Sequence, residues 1–116
     1  MEKENVKPIV LTNTETNETY TLEFTRDTVK HAERQGFDID NIDKAPLTMT
    51  IELFYLAFRA HHKNVTREKA EKILFEDLGG VPDGMLERLI KLYALPFESL
   101  INNEGNSKNA KMTVQF

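Results

Sequence analysis

The sequence predicts an α+β domain in which an N-terminal β-hairpin packs against about four α-helices and a flexible C-terminal tail follows. Apolar residues alternate with polar ones in residues 20–24, recur at helical spacing in residues 47–93, and nearly vanish in residues 102–111. A chain of 116 residues with 40% hydrophobic residues can bury one core. We therefore expect a single globular domain over residues 1–101 and a tail over residues 102–116.

Two β-prone runs, residues 9–11 and 19–24, predict a hairpin over residues 8–24. In the second run every other residue is large and apolar, so these side chains lie on one face of the strand. They are Tyr20, Leu22 and Phe24. Because the opposite face is polar, we expect the helices to cover the apolar face.

Helix-capping residues and apolar spacing predict four helices after the hairpin. Thr25 and Thr66 are suited to the N-cap position, and Pro82 is suited to a first helical turn. Pro96 is expected to kink or break the last helix, because proline cannot donate a backbone hydrogen bond. The predicted helices cover about residues 26–35, 47–62, 67–78 and 82–95.

The second predicted helix is the most apolar part of the chain. A helix that is apolar nearly all round lies at the centre of a fold, so we expect this helix to be the most buried one. The residues predicted to share its inner face are Leu47, Ile51, Phe54, Tyr55 and Phe58.

Charge and cysteine content exclude several classes of protein. The 19 acidic residues outnumber the 15 basic ones, and the formal charge of -4 is unlike that of a dedicated nucleic-acid-binding domain. The absence of cysteine excludes disulfides and thiolate metal sites and fits a reducing cytoplasm. The N-terminus is charged where a signal peptide needs an apolar stretch, and residues 51–60 are too few to cross a membrane. We expect a cytoplasmic protein that binds neither nucleic acid nor membrane.

Residues with catalytic potential do not form a known catalytic pattern. Ser99 and Ser107 lie outside any Gly-x-Ser-x-Gly motif. His61 and His62 occupy adjacent helical positions that point about 100° apart, so they are poor joint ligands for one metal, and we interpret them as a polar helix end. Residues 79–84 are rich in glycine but lack the lysine of a phosphate-binding loop. We expect no enzymatic activity, no cofactor and no metal.

Many helical aromatic and aliphatic residues without catalytic groups indicate a binding module. A small domain cannot bury every aromatic side chain on its helices, so some are expected to line a groove for an apolar helical segment of a partner. The aromatic residues in question are Phe54, Tyr55, Phe58, Phe75, Tyr93 and Phe97. Partly exposed positions beside the main apolar stripe are the best candidates for partner contacts. These candidates are Tyr55, Leu56, Arg59, Leu92 and Tyr93.

The end of the chain again alternates in the manner of a strand. Met112, Val114 and Phe116 lie on one side of an extended chain, after a polar stretch. A tethered peptide of this kind can add to an exposed sheet edge. We therefore predict that residues 112–116 dock as a strand on the hairpin, in the same chain or in a neighbouring copy of a homo-oligomer. The alternative is a disordered end whose residues happen to alternate.

A helix-turn-helix DNA-binding regulator is one alternative function. The turn at residues 79–84 precedes a helix that carries Arg88 and Lys91, which could face DNA. Against this alternative, Glu87 shares the same surface, and residues 45–116 hold equal numbers of acidic and basic residues. The segment therefore offers no basic patch to hold phosphates.

The segment Phe54–Gly80, which reads FYLAFRAHHKNVTREKAEKILFEDLGG, resembles the central segment of small tail assembly chaperones from long-tailed bacteriophages and prophages of Gram-positive hosts. Similar pieces flank it in the same order: YTLEFTR at residues 20–26, GFDI at residues 36–39 and LIKLY at residues 89–93. The resemblance covers about residues 18–116.

The resemblance implies a non-enzymatic factor of the host cell cytoplasm that binds the tape measure protein. Such a factor keeps this long hydrophobic helical chain soluble and helps to recruit tail tube subunits. The resemblance implies no catalytic residues. A structural head-tail joining subunit or another virion component is the rival interpretation, because the same composition suits it equally well.

Overall fold

A computed structural model of the protein describes residues 6–100 and 111–116. Within these residues, two antiparallel strands are followed by four α-helices. Strand β1 spans Ile9–Thr12 and strand β2 spans Thr19–Leu22. This arrangement confirms the predicted α+β fold class and its N-terminal hairpin.

The loop of the hairpin is organised by an asparagine at each end. The side-chain oxygen of Asn13 accepts hydrogen bonds from the backbone N–H groups of Glu15 and Thr16, at 2.9 and 3.1 Å. Asn17 adopts the left-handed conformation with φ of 64°, which asparagine tolerates better than most residues. The loop therefore fixes a register in which Leu11 lies opposite Tyr20.

The helices begin where the capping residues predict. Thr25 and Thr66 each accept a hydrogen bond from a backbone N–H in the first turn of the helix that follows. The third helix continues directly into a π-helical turn. The elements are α1 Arg26–Arg34, a 3-10 helix Ile39–Asp43, α2 Pro46–Leu56, α3 Arg67–Lys72 with the π-helical turn Ile73–Asp77, and α4 Met85–Glu98.

Helix α2 is shorter than its apolar pattern predicts. The pattern suggested a helix to residue 62, whereas the α-helix ends at Leu56 and residues 57–61 form turns. The reason is tertiary, because the carbonyl of Ala57 accepts a hydrogen bond from the N–H of Glu23 at 3.2 Å. The N–H of Glu23, directly after strand β2, thus uses a carbonyl that a longer α2 would have bonded within the helix.

Helix α4 differs from its prediction at both ends. It starts after Gly84, whose φ of 84° is left-handed and cannot belong to a right-handed helix. The predicted break at Pro96 is wrong, because the α-helix continues to Glu98. Pro96 lies in the last turn of the helix, where it removes a single backbone hydrogen bond and only two helical residues follow it. The continuation places Phe97 on the helix.

The core lies between the hairpin, the end of α2 and α4. Leu53, Phe54 and Phe58 are each at most 1% exposed, as expected for the most apolar segment. Leu47, by contrast, is 70% exposed, so its predicted place on the inner face is wrong. It lies in the first turn of α2, whose residues 46–48 are all at the surface.

Edge-to-face aromatic contacts join the elements of the core. The ring of Tyr93 on α4 lies 5.1 Å from that of Phe24 and 5.4 Å from that of Phe37. On the other side, Phe58 lies 5.5 Å from Tyr20 of β2. Such pairs stabilise a core by about 0.5–1.5 kcal/mol beyond the area they bury.

The end of the chain does not add a strand to the described hairpin. Residues 102–110 of the predicted flexible tail lie outside the described residues. Residues 111–116 are exposed and outside the two-stranded sheet, with Met112 at 87% and Val114 at 76% exposure and Phe116 fully exposed. In the described residues the tail therefore does not pair with the hairpin of the same chain, and docking on a neighbouring copy stays a prediction.

In the described part of the chain, none of the helices has the length and apolar character needed to cross a membrane.

Candidate functional site

Helix α1 is held at its start by a reciprocal pair of threonines. The N–H of Thr28 donates to the hydroxyl of Thr25 at 3.2 Å, and the N–H of Thr25 donates to the hydroxyl of Thr28 at 2.8 Å. Val29 and Ala32 face the core and are buried. The orientation of α1 is thereby fixed, with one flank towards α4.

A groove of about 380 Å³ lies between α1 and the end of α4, and we call it the α1–α4 groove. Its lining is mainly apolar, with Phe97 41% and Leu100 75% exposed. Charged side chains stand at its border. The apolar lining residues are Val29, Pro96, Phe97 and Leu100, and the polar ones are Arg26, Lys30, Glu33 and Ser99.

A short network of hydrogen bonds shapes the border of the groove. The hydroxyl of Ser99 donates to the carbonyl of Pro96 at 2.9 Å, which holds the end of α4. The Arg26 side chain donates through Nε to the Ser99 hydroxyl at 3.3 Å. The groove thus combines an apolar surface with two cations, Arg26 and Lys30, and one carboxylate, Glu33, which suits an amphipathic helix with polar neighbours.

The chain matches, over residues 1–116, the family model described as Domain of unknown function (DUF5055). The protein belongs to the DUF5055 family. Neither a curated protein nor a solved structure matches it. The description of the DUF5055 family names no activity, so the geometry of the groove carries the functional argument.

Three of the five predicted contact residues are buried in the DUF5055 fold. Leu56, Leu92 and Tyr93 are 2%, 2% and 3% exposed, so the prediction that they are partly exposed is wrong. The rings of Phe24 and Phe37 cover Tyr93. Burial, with smaller contributions from the charges of nearby acidic residues, raises the pKa of Tyr93 to about 12.

Tyr55 and Arg59 are half-buried, as predicted, but they lie away from the α1–α4 groove. The guanidinium of Arg67 lies 4.7 Å from the ring centre of Tyr55, and it also bonds to Glu52 at 2.6 Å. Tyr55 is therefore covered in part by a neighbouring side chain. A surface that joins all five predicted residues does not exist in this fold.

Sequence reasoning named Phe97 as a possible groove residue and missed Leu100. The positions of both side chains depend on the continuation of α4 beyond Pro96. The signal was the spacing of Tyr93, Phe97 and Leu100, which repeats at helical intervals. Because the helix was predicted to end at residue 95, Phe97 and Leu100 were not assigned to the same helix face as Tyr93.

The adjacent histidines have a structural role. The ring nitrogen Nε2 of His62 accepts a hydrogen bond from the N–H of Thr21 at 2.9 Å, and His61 contacts the carboxylate of Glu23. Both histidines therefore join the turn after α2 to the hairpin, His62 to strand β2 and His61 to Glu23, the residue that follows it. Across residues 6–100 and 111–116, His, Asp and Glu side chains form no group of three or more that could hold a metal ion.

Proposed function

We propose that this protein is a tail assembly chaperone that binds apolar helical segments of a phage tape measure protein in the α1–α4 groove. The observation that carries the proposal is the exposure of Phe97 and Leu100 beside Val29 in one groove between two helices. The protein acts in the host cytoplasm, catalyses no reaction, and also assists the recruitment of tail tube subunits.

The physical basis is burial of apolar surface on both partners. Each Å² of apolar surface removed from water contributes about 25 cal/mol, so the rings and methyl groups of the lining favour an apolar helix face. A helix presents such a face through residues spaced three and four apart. Arg26 and Lys30 outnumber the single carboxylate, Glu33, in the lining and so favour acidic residues next to that face.

The resemblance to tail assembly chaperones supports the choice of partner. The long similar segment, residues 54–80, includes Phe58 and His62, which contact strand β2 of the hairpin. LIKLY at residues 89–93 precedes the groove on the same helix. A tape measure protein is a long helical chain with extended apolar faces, which is the kind of ligand that this groove suits.

The helix-turn-helix alternative gains no support from the contacts of α4. The side chain of Arg88 donates to the backbone carbonyl of Lys7 at 3.1 Å, so part of its guanidinium is already used within the fold. Glu87 is exposed in the same turn and would repel phosphate.

The proposal is tested by co-expressing the chain with the tape measure protein of the same phage or prophage. The double variant Phe97→Ser and Leu100→Ser removes the apolar lining, and we expect the tape measure protein to become insoluble with it. Leu47→Ser with Phe75→Ser is the matched control, because these residues are 70% and 52% exposed outside the groove.

Equal solubilisation by the groove variant, the control variant and the wild type would overturn the proposal. Purified virus particles give a second test, since a chaperone is absent from them. Stoichiometric presence of the protein in particles would favour the head-tail joining alternative.

A further inference from the structure

A second flank of α1 borders a cleft of different chemistry. This cleft of about 420 Å³ lies between α1 and the turn that follows α2. We call it the basic cleft, because it brings together cations from two distant parts of the sequence. Its charged or titratable lining residues are Asp27, Lys30, His31, Arg34, Arg59 and Lys63.

The positive charge of the basic cleft is only partly neutralised by the described residues. Four of its side chains are lysine or arginine, and Asp27 is the single carboxylate among the described residues that line it. The two ion pairs of residues 6–100 and 111–116 are His61 with Glu23 and Arg67 with Glu52, and neither uses a cation of the cleft. Such a concentration of positive charge is notable in a chain whose formal charge is -4.

The half-buried His31 lies in the positive electrostatic potential of the same cations. Its pKa is lowered, first by burial and then by the positive charges of Arg59, Arg34 and Arg67. Cations that disfavour a further positive charge at this point favour a negative one. The threonines at the start of α1, Thr25 and Thr28, add hydroxyl groups to the lining.

We infer that the basic cleft binds an acidic peptide segment, with Arg34 and Arg59 contacting its carboxylates. The guanidinium group matches a carboxylate with two parallel hydrogen bonds, and it is more weakly hydrated than an ammonium group. The cleft is short and the whole chain is acidic, so a long polyanion such as duplex DNA would be repelled outside it. An acidic peptide can place its charges in the cleft alone.

The basic cleft is independent of the proposed function. Its ligand is recognised by charge, whereas the ligand of the α1–α4 groove is recognised by apolar surface. Lys30 lines both sites. An acidic segment in the basic cleft would therefore lie next to an apolar helix in the groove. Failure of either site in its own assay leaves the other assay interpretable.

The test measures binding of fluorescein-labelled hexaglutamate to the full chain by fluorescence anisotropy, at low and at physiological salt. We expect hexaglutamate to bind, with an affinity that falls as salt rises, and hexaglutamine not to bind. The triple variant Arg34→Gln, Arg59→Gln and Lys63→Gln should weaken binding by about tenfold or more.

The matched control is the triple variant Lys44→Gln, Lys69→Gln and Lys72→Gln, which removes the same charge from exposed positions outside the cleft. We expect it to bind almost as well as the wild type, and thermal unfolding verifies that both variants fold. Equal weakening in the two triple variants, or no binding by the wild type, would overturn the inference. Tighter binding of a single-stranded oligonucleotide of equal charge would overturn it in favour of nucleic acid.

Discussion

The imidazole of His62 accepts a hydrogen bond from the backbone N–H of Thr21, with 2.9 Å between the two nitrogens. The same ring lies 5.2 Å from the ring of Tyr20. Together with the bond from Glu23 to the carbonyl of Ala57, this contact occupies the edge of β2 that faces away from β1. The hairpin is thereby fixed to the core along its second strand, and β1 forms its free edge.

Replacing His62 with alanine is expected to destabilise the fold. The N–H of Thr21 is part-buried and would lose its partner, which costs about 1–3 kcal/mol. Chemical denaturation measures the loss, and His61→Ala is the matched control, because its side chain is 45% exposed and that of its partner Glu23 is 30% exposed. An equal loss in both variants would show that the bond to Thr21 has no special role.

Removing either core phenylalanine is expected to cost more. Phe54 and Phe58 are each 1% exposed, and their rings lie 5.2 Å apart in an edge-to-face contact. Phe→Ala at either position should lower the free energy of unfolding by about 3–5 kcal/mol. Leu47→Ala should change it by about 0.5 kcal/mol or less, because Leu47 is at the surface. Unchanged denaturation midpoints in the two phenylalanine variants would contradict the described core.

The stability of the fold is expected to fall in mild acid because of His31. Its pKa is lowered in the folded protein by burial and by Arg59 and Arg34, so the unfolded chain takes up a proton first, near the ordinary value of about 6.5. Stability contributed by the neutral ring is therefore lost as the pH falls below about 6.5. His31→Gln should reduce the loss measured by thermal unfolding between about pH 7 and pH 5. If the variant loses as much stability as the wild type, the effect has another source.

The C-terminal strand remains a prediction for a neighbouring copy of the chain. Met112, Val114 and Phe116 are exposed, and Val10 on β1 is 61% exposed. We expect deletion of residues 102–116 to lower the number of chains in the assembly, measured from its mass in solution, and to speed hydrogen exchange in β1. An unchanged number of chains together with unchanged hydrogen exchange would mean that the tail holds neither the hairpin nor an oligomer.

Local signals in the sequence predicted much of the fold. Alternation predicted strand β2, and Thr25 and Thr66 predicted the starts of α1 and α3, because these signals act over a few residues. The end of α2 was not predictable in this way, since it depends on a hydrogen bond from Glu23 to Ala57. Local pattern carries no information on such a partner.

The candidate sites were harder to predict for the same reason. The α1–α4 groove depends on the helix continuing through Pro96, which local rules disfavour. The basic cleft depends on Arg34 and Arg59, which are separated along the chain and meet only through the packing of α1 against the turn after α2. Apolar spacing identified helix faces, but it did not show which of them neighbouring elements cover.

The most direct test of the central claim is hydrogen exchange of the purified complex with the tape measure protein. If the α1–α4 groove holds a helix of that partner, exchange in residues 26–34 and 95–100 should slow on binding, while exchange at the first turn of α2 stays unchanged. Slowed exchange confined to other segments, with these two unaffected, would contradict the account.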